Sequence, residues 1–192
     1  MIKIPSNIKA LIFDCDGTLV DTMPLHMEAW KKAFEMNGRA FPYDFIDSIK
    51  GTPLPEIVQM YNEKFNDDLD FEKVAKYKSD LTHESIKKAK PIKPVVDVAL
   101  KNKNLMPMSV ASGGSKYNVH SSLISAGIIN LFSPILTSQD KIPGKPNPDI
   151  FLECAMQMNV APEDCLVFED GDLGIEAAKR AGMQFVDVRK HL

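Results

Sequence analysis

Asp14 and Asp16 flank one residue in Phe13-Asp14-Cys15-Asp16-Gly17-Thr18, directly after the apolar run Ala10–Phe13. Two like charges this close are costly unless they share a proton or a cation. If the run is a buried strand, its extended geometry turns both carboxylates to one side. Gly17 then lets the chain leave in a conformation that other residues resist. A turn that merely carries acidic residues would look the same. A calcium loop fits poorly: glycine comes too early, and Leu25 stands where a loop begun at Asp14 needs its final glutamate.

Three further segments carry chemistry. Val110-Ala111-Ser112-Gly113-Gly114-Ser115 follows a second apolar run. A small hydroxyl residue before glycines makes a loop whose N–H groups can hold an anion, although such segments are often only turns. Gly144-Lys145-Pro146-Asn147-Pro148 sets a lysine between prolines. Lys145 there can pair with a phosphate or with Asp14, or be a solvated surface lysine. Phe168-Glu169-Asp170-Gly171-Asp172 places adjacent carboxylates after another run. Hard oxygens of this kind suit magnesium, and Asp172 reads as a helix cap rather than a ligand.

The elements that must position these residues are five short apolar runs: Ala10–Phe13, Pro107–Ala111, Pro134–Thr137, Cys165–Phe168 and Gln184–Val188. Several are continuous rather than alternating, as in strands buried on both faces. Helical patterns separate the later ones. Asn147-Pro148 reads as an N-cap with proline at the first helical position, before a face of Phe151, Cys154, Ala155 and Met158. Asp172 reads as the cap of a helix carrying Ile175 and Ala178 and ending at Gly182. Strand and helix in alternation imply a parallel sheet with crossover helices. Ligands of such sheets bind at the carboxyl ends of the strands, where all four segments fall. In order they supply a nucleophile pair, a small hydroxyl, a lysine and an acidic pair, which together describe a phosphoryl-transfer site.

Between the first and second runs the sequence shows no good strand. Met23, Met27, Trp30 and Phe34 follow helical spacing, as do Ile57, Tyr61 and Phe65, and then Val74, Tyr77 and Leu81. Residues 21–90 therefore read as a helical insert, with Lys90-Pro91-Ile92-Lys93-Pro94 as its exit. Residues 1–20 and 91–192 form the α/β core.

Composition narrows the classes. With 44% hydrophobic and 26% charged residues over 192 positions, the chain reads as soluble and globular. A formal net charge of -3 offers no broad basic field, so neither nucleic acid nor a membrane surface is an expected partner. The amino-terminal residues lack a signal-peptide apolar region, and no stretch spans a bilayer. Cys15, Cys154 and Cys165 match no metal framework and suit reduced, packed thiols. A monomer in the cytoplasm is expected.

Asp14-Cys15-Asp16-Gly17-Thr18, Ser112, Lys145-Pro146 and Glu169-Asp170 resemble, in order, the four motifs of the haloacid dehalogenase superfamily. The insert resembles that superfamily's small helical cap. Within it, the chain is similar to the beta-phosphoglucomutase-like branch, and Val167–Arg189 especially to bacterial fructose-1-phosphate phosphatases. The resemblance implies a Rossmann-like doubly wound parallel sheet, with the cap inserted after the first strand. It implies Asp14 as nucleophile and Asp16 as acid and base. Ser112 and the N–H of Gly113 would hold the phosphoryl group, with Lys145 neutralising charge. Mg2+ would be held by Asp14, the carbonyl of Asp16, and Asp170, with Glu169 near or behind it. The cap would close over a small phosphorylated sugar. His26 and Thr22 fall where the cap begins, and His26, Lys50 and Lys78 are its candidate substrate contacts.

The branch's mutases carry an arginine after a Lys-Gly pair in the cap. Lys50-Gly51-Thr52-Pro53-Leu54-Pro55-Glu56 has none, which favours a phosphatase over a sugar phosphomutase. A receiver module phosphorylated on Asp14 is the reading from another class. It needs neither Asp16 nor a cap. Cys15, between the aspartates, reads as a packing residue.

Overall fold

Ala10–Phe13 forms strand β1, and none of its four side chains reaches solvent. The structure, a computed structural model, describes residues 2–49 and 54–192. The chain then runs through β2 (Val20–Asp21), α1 (Met23–Met36), α2 (Tyr43–Ser48), α3 (Leu54–Phe65), α4 (Phe71–Ser85) and β3 (Lys90–Pro91). Next come α5 (Lys93–Asn102), β4 (Met108–Ala111), α6 (Lys116–Ser125), β5 (Ile135–Leu136), α7 (Asp149–Gln157), β6 (Cys165–Glu169), α8 (Asp172–Arg180) and β7 (Gln184–Asp187).

All five apolar runs join one parallel sheet, in the order β5-β4-β1-β6-β7. β1 is central. Its Phe13 lies beside Val110 of β4 and Phe168 of β6. The next positions, Asp14, Ala111-Ser112 and Glu169, therefore share one edge of the sheet. The register is held past the strand ends: Asp14 donates its N–H to the Phe168 carbonyl at 2.9 Å, and Ser112 donates to Leu136 at 3.0 Å.

The runs are continuous because helices cover both faces. On one face Ala10, Ile12 and Val167 pack with Phe151, Cys154 and Ala155 of α7 and Ala177 and Ala178 of α8. On the other, Phe13 stacks on Phe168 at 4.6 Å between centroids and meets the edge of Phe132 at 5.6 Å. Each such side chain contributes about 1.5–3 kcal/mol by leaving water.

The chain divides into two compact units, Met1–Thr22 with Lys87–Leu192, and Met23–Ile86. The second is helical. Its core gathers Trp30, Ala33 and Phe34 from α1, Phe45 and Ile46 from α2, Ile57, Val58 and Tyr61 from α3, and Val74 from α4. Asp70 caps α4 by accepting the N–H of Lys73.

Three expectations need correction. The stretch between the first two runs does hold strands: β2 and β3 pair antiparallel, Val20 with Pro91 and Asp21 with Lys90. Asn147 does not cap α7. The N-cap is Pro148, and the Asn147 amide turns back to the Gly144 carbonyl at 2.9 Å. Asp172 does not cap α8 either. It is the first helical residue after the N-cap Gly171, and its carboxylate takes a hydrogen bond from Arg189 at 2.8 Å. Gly182 follows the end of α8 with φ +71°, a left-handed conformation that glycine adopts without strain.

Candidate active site

Lys145 joins two acidic residues from different strands. Its Nζ lies 2.7 Å from Asp14 Oδ1 and 2.7 Å from Glu169 Oε1. All three side chains are largely buried. The ammonium also stands 5.2 Å from the centre of the Phe151 ring. Lys145 is therefore not a solvated surface lysine but pairs with Asp14. The three guanidinium groups are held elsewhere, Arg39 by Asp67, Arg180 by Glu176 and Arg189 by Asp187. The cation paired with Asp14 is thus a compact ammonium rather than a planar fork.

Glu169 is wedged in place. Its second oxygen accepts the N–H of Gly171 at 2.7 Å, which satisfies one of the open donors at the start of α8. A Cβ on Gly174 would lie 1.7 Å from Oε1 and 2.2 Å from the carboxyl carbon. Gly174→Ala should therefore destabilise the protein even though it lies within α8. Helix propensity would gain about 1 kcal/mol. Evicting a buried, hydrogen-bonded carboxylate costs about 1–3 kcal/mol for the crowding and a similar sum for the bonds. A melting temperature at or above that of the native protein would contradict this account.

Asp170 follows on the same edge. Thr18 Oγ1 donates to its Oδ1 at 3.0 Å. Asp14, Glu169 and Asp170 each bring one carboxylate oxygen within 4.8 Å of the others.

The Asp16 carboxylate is not part of that trio. Its Oδ1 accepts from Thr22 Oγ1 at 2.7 Å, and its Oδ2 faces Ser112 Oγ at 3.3 Å. Ser112 is buried, and its hydroxyl also accepts the N–H of Gly114 at 3.0 Å. Gly113 is exposed at the tip of this loop, and Ser115 then caps α6 by accepting from Asn118. So the strand-end segments do meet, in two groups: Asp14 with Lys145, Glu169 and Asp170, and Asp16 with Ser112. Cys15 is fully buried between them. Burial pushes its thiol well above the usual range, which keeps it protonated and unreactive.

His26 lies on α1 and Lys78 on α4, both in the helical unit. Their Nδ1 and Nζ are 3.3 Å apart, and Lys78 is 5.8 Å from the centre of the Trp30 ring. Lys50 lies outside the described residues. Thr18 and Thr22 bond to acidic residues of the site; Thr18 stands in the first motif and Thr22 where the insert begins, but type and spacing give no signal of either bond.

One ammonium here faces three carboxylates. Burial raises the Asp14 carboxyl well above its ordinary range; Lys145 pulls it down, while Glu169, Asp170 and Asp16 push it further up. Burial and then the charge of Glu169 push Asp170 up to about 6. Burial also works against the charge on Lys145, but Asp14 and Glu169 outweigh it and hold the ammonium above its ordinary value.

Comparison with known proteins shows the family. The sequence model of the haloacid dehalogenase-like hydrolases matches residues 11–188. The chain belongs to that family. It is 35% identical to the fructose-1-phosphate phosphatase of Escherichia coli, over 93% of this chain and 95% of that one. It is 32% identical to the beta-phosphoglucomutase of Bacillus subtilis, over 94% and 83% respectively. The crystal structure of beta-phosphoglucomutase from Clostridium difficile superposes with a TM-score of 0.78 at 29% identity, covering 93% of this chain and 83% of that one. The five-stranded parallel sheet flanked by helices is the fold of these hydrolases. Among the described residues, no helix is long and apolar enough to cross a membrane.

Members of this family generally use a divalent metal, and the residues fit one. The trio offers hard oxygens within a single ion's reach. Its excess of carboxylates over ammonium leaves negative charge that a divalent cation would balance.

Proposed function

We propose that this hydrolase is a magnesium-dependent phosphatase that cleaves a small sugar phosphate through an aspartyl-phosphate intermediate on Asp14. The observation that carries the reading is the division of labour between the two aspartates. Asp14 is drawn to Lys145 among carboxylates, while Asp16 is held apart by two hydroxyls. A nucleophile needs its anion stabilised, and an acid–base group needs freedom to carry a proton.

An Asp14 oxygen attacks phosphorus and the bond from phosphorus to the sugar oxygen breaks. Asp16 gives its proton to that leaving oxygen. Asp16, now ionised, takes a proton from a water molecule as the water attacks phosphorus. The acyl phosphate bond breaks, Asp14 is restored and inorganic phosphate leaves. The Ser112 hydroxyl and the N–H of Gly113 hold the phosphoryl oxygens during both transfers, and Lys145 keeps the anions of nucleophile and substrate together. Asp14, Asp170 and the Asp16 carbonyl would hold Mg2+, with Glu169 behind them holding Lys145. When bound, the ion supplies positive charge against the phosphoryl group. In the helical unit, His26, Lys50 and Lys78 are the proposed contacts to the sugar.

The relatives' names support a sugar phosphate as substrate. The Escherichia coli phosphatase favours hydrolysis, as does the lack of an arginine in Lys50–Glu56. The likeness to beta-phosphoglucomutases keeps phosphoryl transfer between sugar hydroxyls as the second reading. Release of inorganic phosphate from a panel of sugar phosphates, with and without magnesium, separates them. The panel includes fructose 1-phosphate and both anomers of glucose 1-phosphate. Magnesium-dependent release from one or a few members is expected. Isomer interconversion without release, in the presence of a sugar bisphosphate, would replace the phosphatase with a mutase.

Magnesium binding should also depend on pH, because a carboxyl must lose its proton to ligate a cation. Asp170 is pushed up to about 6 and the Asp14 carboxyl is raised as well, so protons compete with the cation for both groups as the pH falls. Affinity is expected to fall by at least roughly tenfold for each pH unit below 6. Calorimetric titration of magnesium between pH 5 and 8 checks this, and a flat profile across pH 6 would contradict it.

A further inference from the structure

We propose that Thr18 is a positioning residue for the magnesium site, its hydroxyl and the gap left by Gly17 together fixing the orientation of the Asp170 carboxylate. The inference rests on the reading of Asp14 and Asp170 as the residues that hold the ion.

Thr18 is fully buried, between Gly17 and the equally buried Leu19 and Val20. For packing alone, valine would serve: it has the same shape and no polar atom. A buried hydroxyl is costly unless it is hydrogen-bonded. The bond that Thr18 makes is to Asp170 Oδ1, at 3.0 Å, across 152 positions of sequence. Its burial keeps water from substituting for it.

Gly17 contributes an absence. Its φ of +84° is one that L side chains rarely adopt, and a Cβ would lie 2.3 Å from Asp170 Oδ2 and 2.9 Å from the carboxyl carbon. One oxygen of Asp170 is therefore held by a donor from Thr18, and the other occupies the space beside Gly17. A carboxylate otherwise turns freely about its last bond. Held in this way, it keeps the orientation in which it completes the trio with Asp14 and Glu169. Residues that orient metal ligands in this way typically contribute 10- to 100-fold to metal affinity.

The test is magnesium affinity, measured by calorimetric titration of the whole chain without substrate, for the native protein, Thr18→Val and Thr18→Ser. Thr18→Val is expected to weaken binding roughly 10- to 100-fold, while Thr18→Ser, which keeps the donor, binds close to the native protein. In turnover, Thr18→Val should raise the magnesium concentration needed for half activation and leave the substrate KM at saturating magnesium unchanged. Native affinity in a folded Thr18→Val protein would overturn the proposal. So would a Thr18→Ser protein that loses as much affinity as the valine variant, since that would make the methyl group the important part. If Thr18→Val melts too low to titrate, Thr18→Ala takes its place with the same expectations. A native protein that binds no magnesium would overturn the magnesium reading itself, and this inference with it.

Discussion

Asp14→Asn is expected to lower phosphate release by roughly four to six orders of magnitude, the scale seen when a covalent nucleophile is removed. Asparagine keeps the shape of the side chain and an oxygen to accept from Lys145, which lies 2.7 Å from Asp14 Oδ1. It loses the anion that attacks phosphorus. The variant should remain folded. Burial already pushes the Asp14 carboxyl up, so exchanging it for a neutral amide removes a poorly solvated charge rather than a favourable one. In metal-free buffer its melting temperature should match or exceed that of the native protein. The pair of measurements separates chemistry from folding. A folded Asp14→Asn protein that turns over within tenfold of the native rate would move the nucleophile to another residue.

Lys145→Met comes next in size. Methionine keeps the length of the side chain and its contact with Phe151 but removes the ammonium. Loss of a buried electrostatic donor to the transferring group costs roughly 10²- to 10³-fold in turnover. Unlike Asp14→Asn, this change also lowers stability, because it leaves Asp14 and Glu169 facing each other without their shared cation. The sign with pH follows from the direction of the Asp14 shift. Its carboxyl, raised already, rises further without Lys145. The folded state then retains a proton that the unfolded chain has released, and stability falls as pH climbs from the ordinary aspartate value of 3.8 towards the raised one. The native protein keeps its ammonium through that range, since Asp14 and Glu169 hold Lys145 above its ordinary value. The gap in melting temperature between the two proteins should widen from pH 4 to pH 8 in metal-free buffer. A constant gap would show that the lysine does not offset these carboxylates.

The sheet was legible because its central strands β1, β4 and β6 are buried on both faces. Ala10–Phe13 and Cys165–Phe168 are runs that a helix period does not explain, and both joined the central pair. β2 and β3 were not legible. They have two residues each, and Lys90 and Pro91 are exposed, so no burial pattern marks them. α2 is six residues long and too short to show a period. Asp172 misled for a chemical reason. An acidic residue at a helix start normally serves the open N–H groups, but Glu169 reaches the Gly171 N–H from the preceding strand, and Arg189 takes Asp172.

In the candidate site, order along the chain pointed to the strand ends, because parallel strands present their carboxyl ends together. It could not show which acidic residue Lys145 would bridge to Asp14, nor that Thr18 and Thr22 would each hold one. Those bonds span one edge of the sheet rather than a local spacing. Gly174 was likewise silent: its use is the space it leaves for Glu169, and a missing atom has no signature in a helical pattern.

The same arrangement determines when the chain can first work. Lys145 and Asp14 are 131 positions apart, and Thr18 and Asp170 are 152 apart. Contacts so distant in sequence form late, since each long loop must close before its contact is gained. At a synthesis rate of about 5–20 residues per second, Asp170 emerges on the order of ten seconds after Thr18. Until then β1 lacks β6, one of the two neighbours that flank it in the finished sheet. A nascent chain stopped before β6 holds Asp14 without Glu169 or Asp170. The onset of activity, during synthesis or refolding, therefore marks the docking of β6 and not the formation of β1.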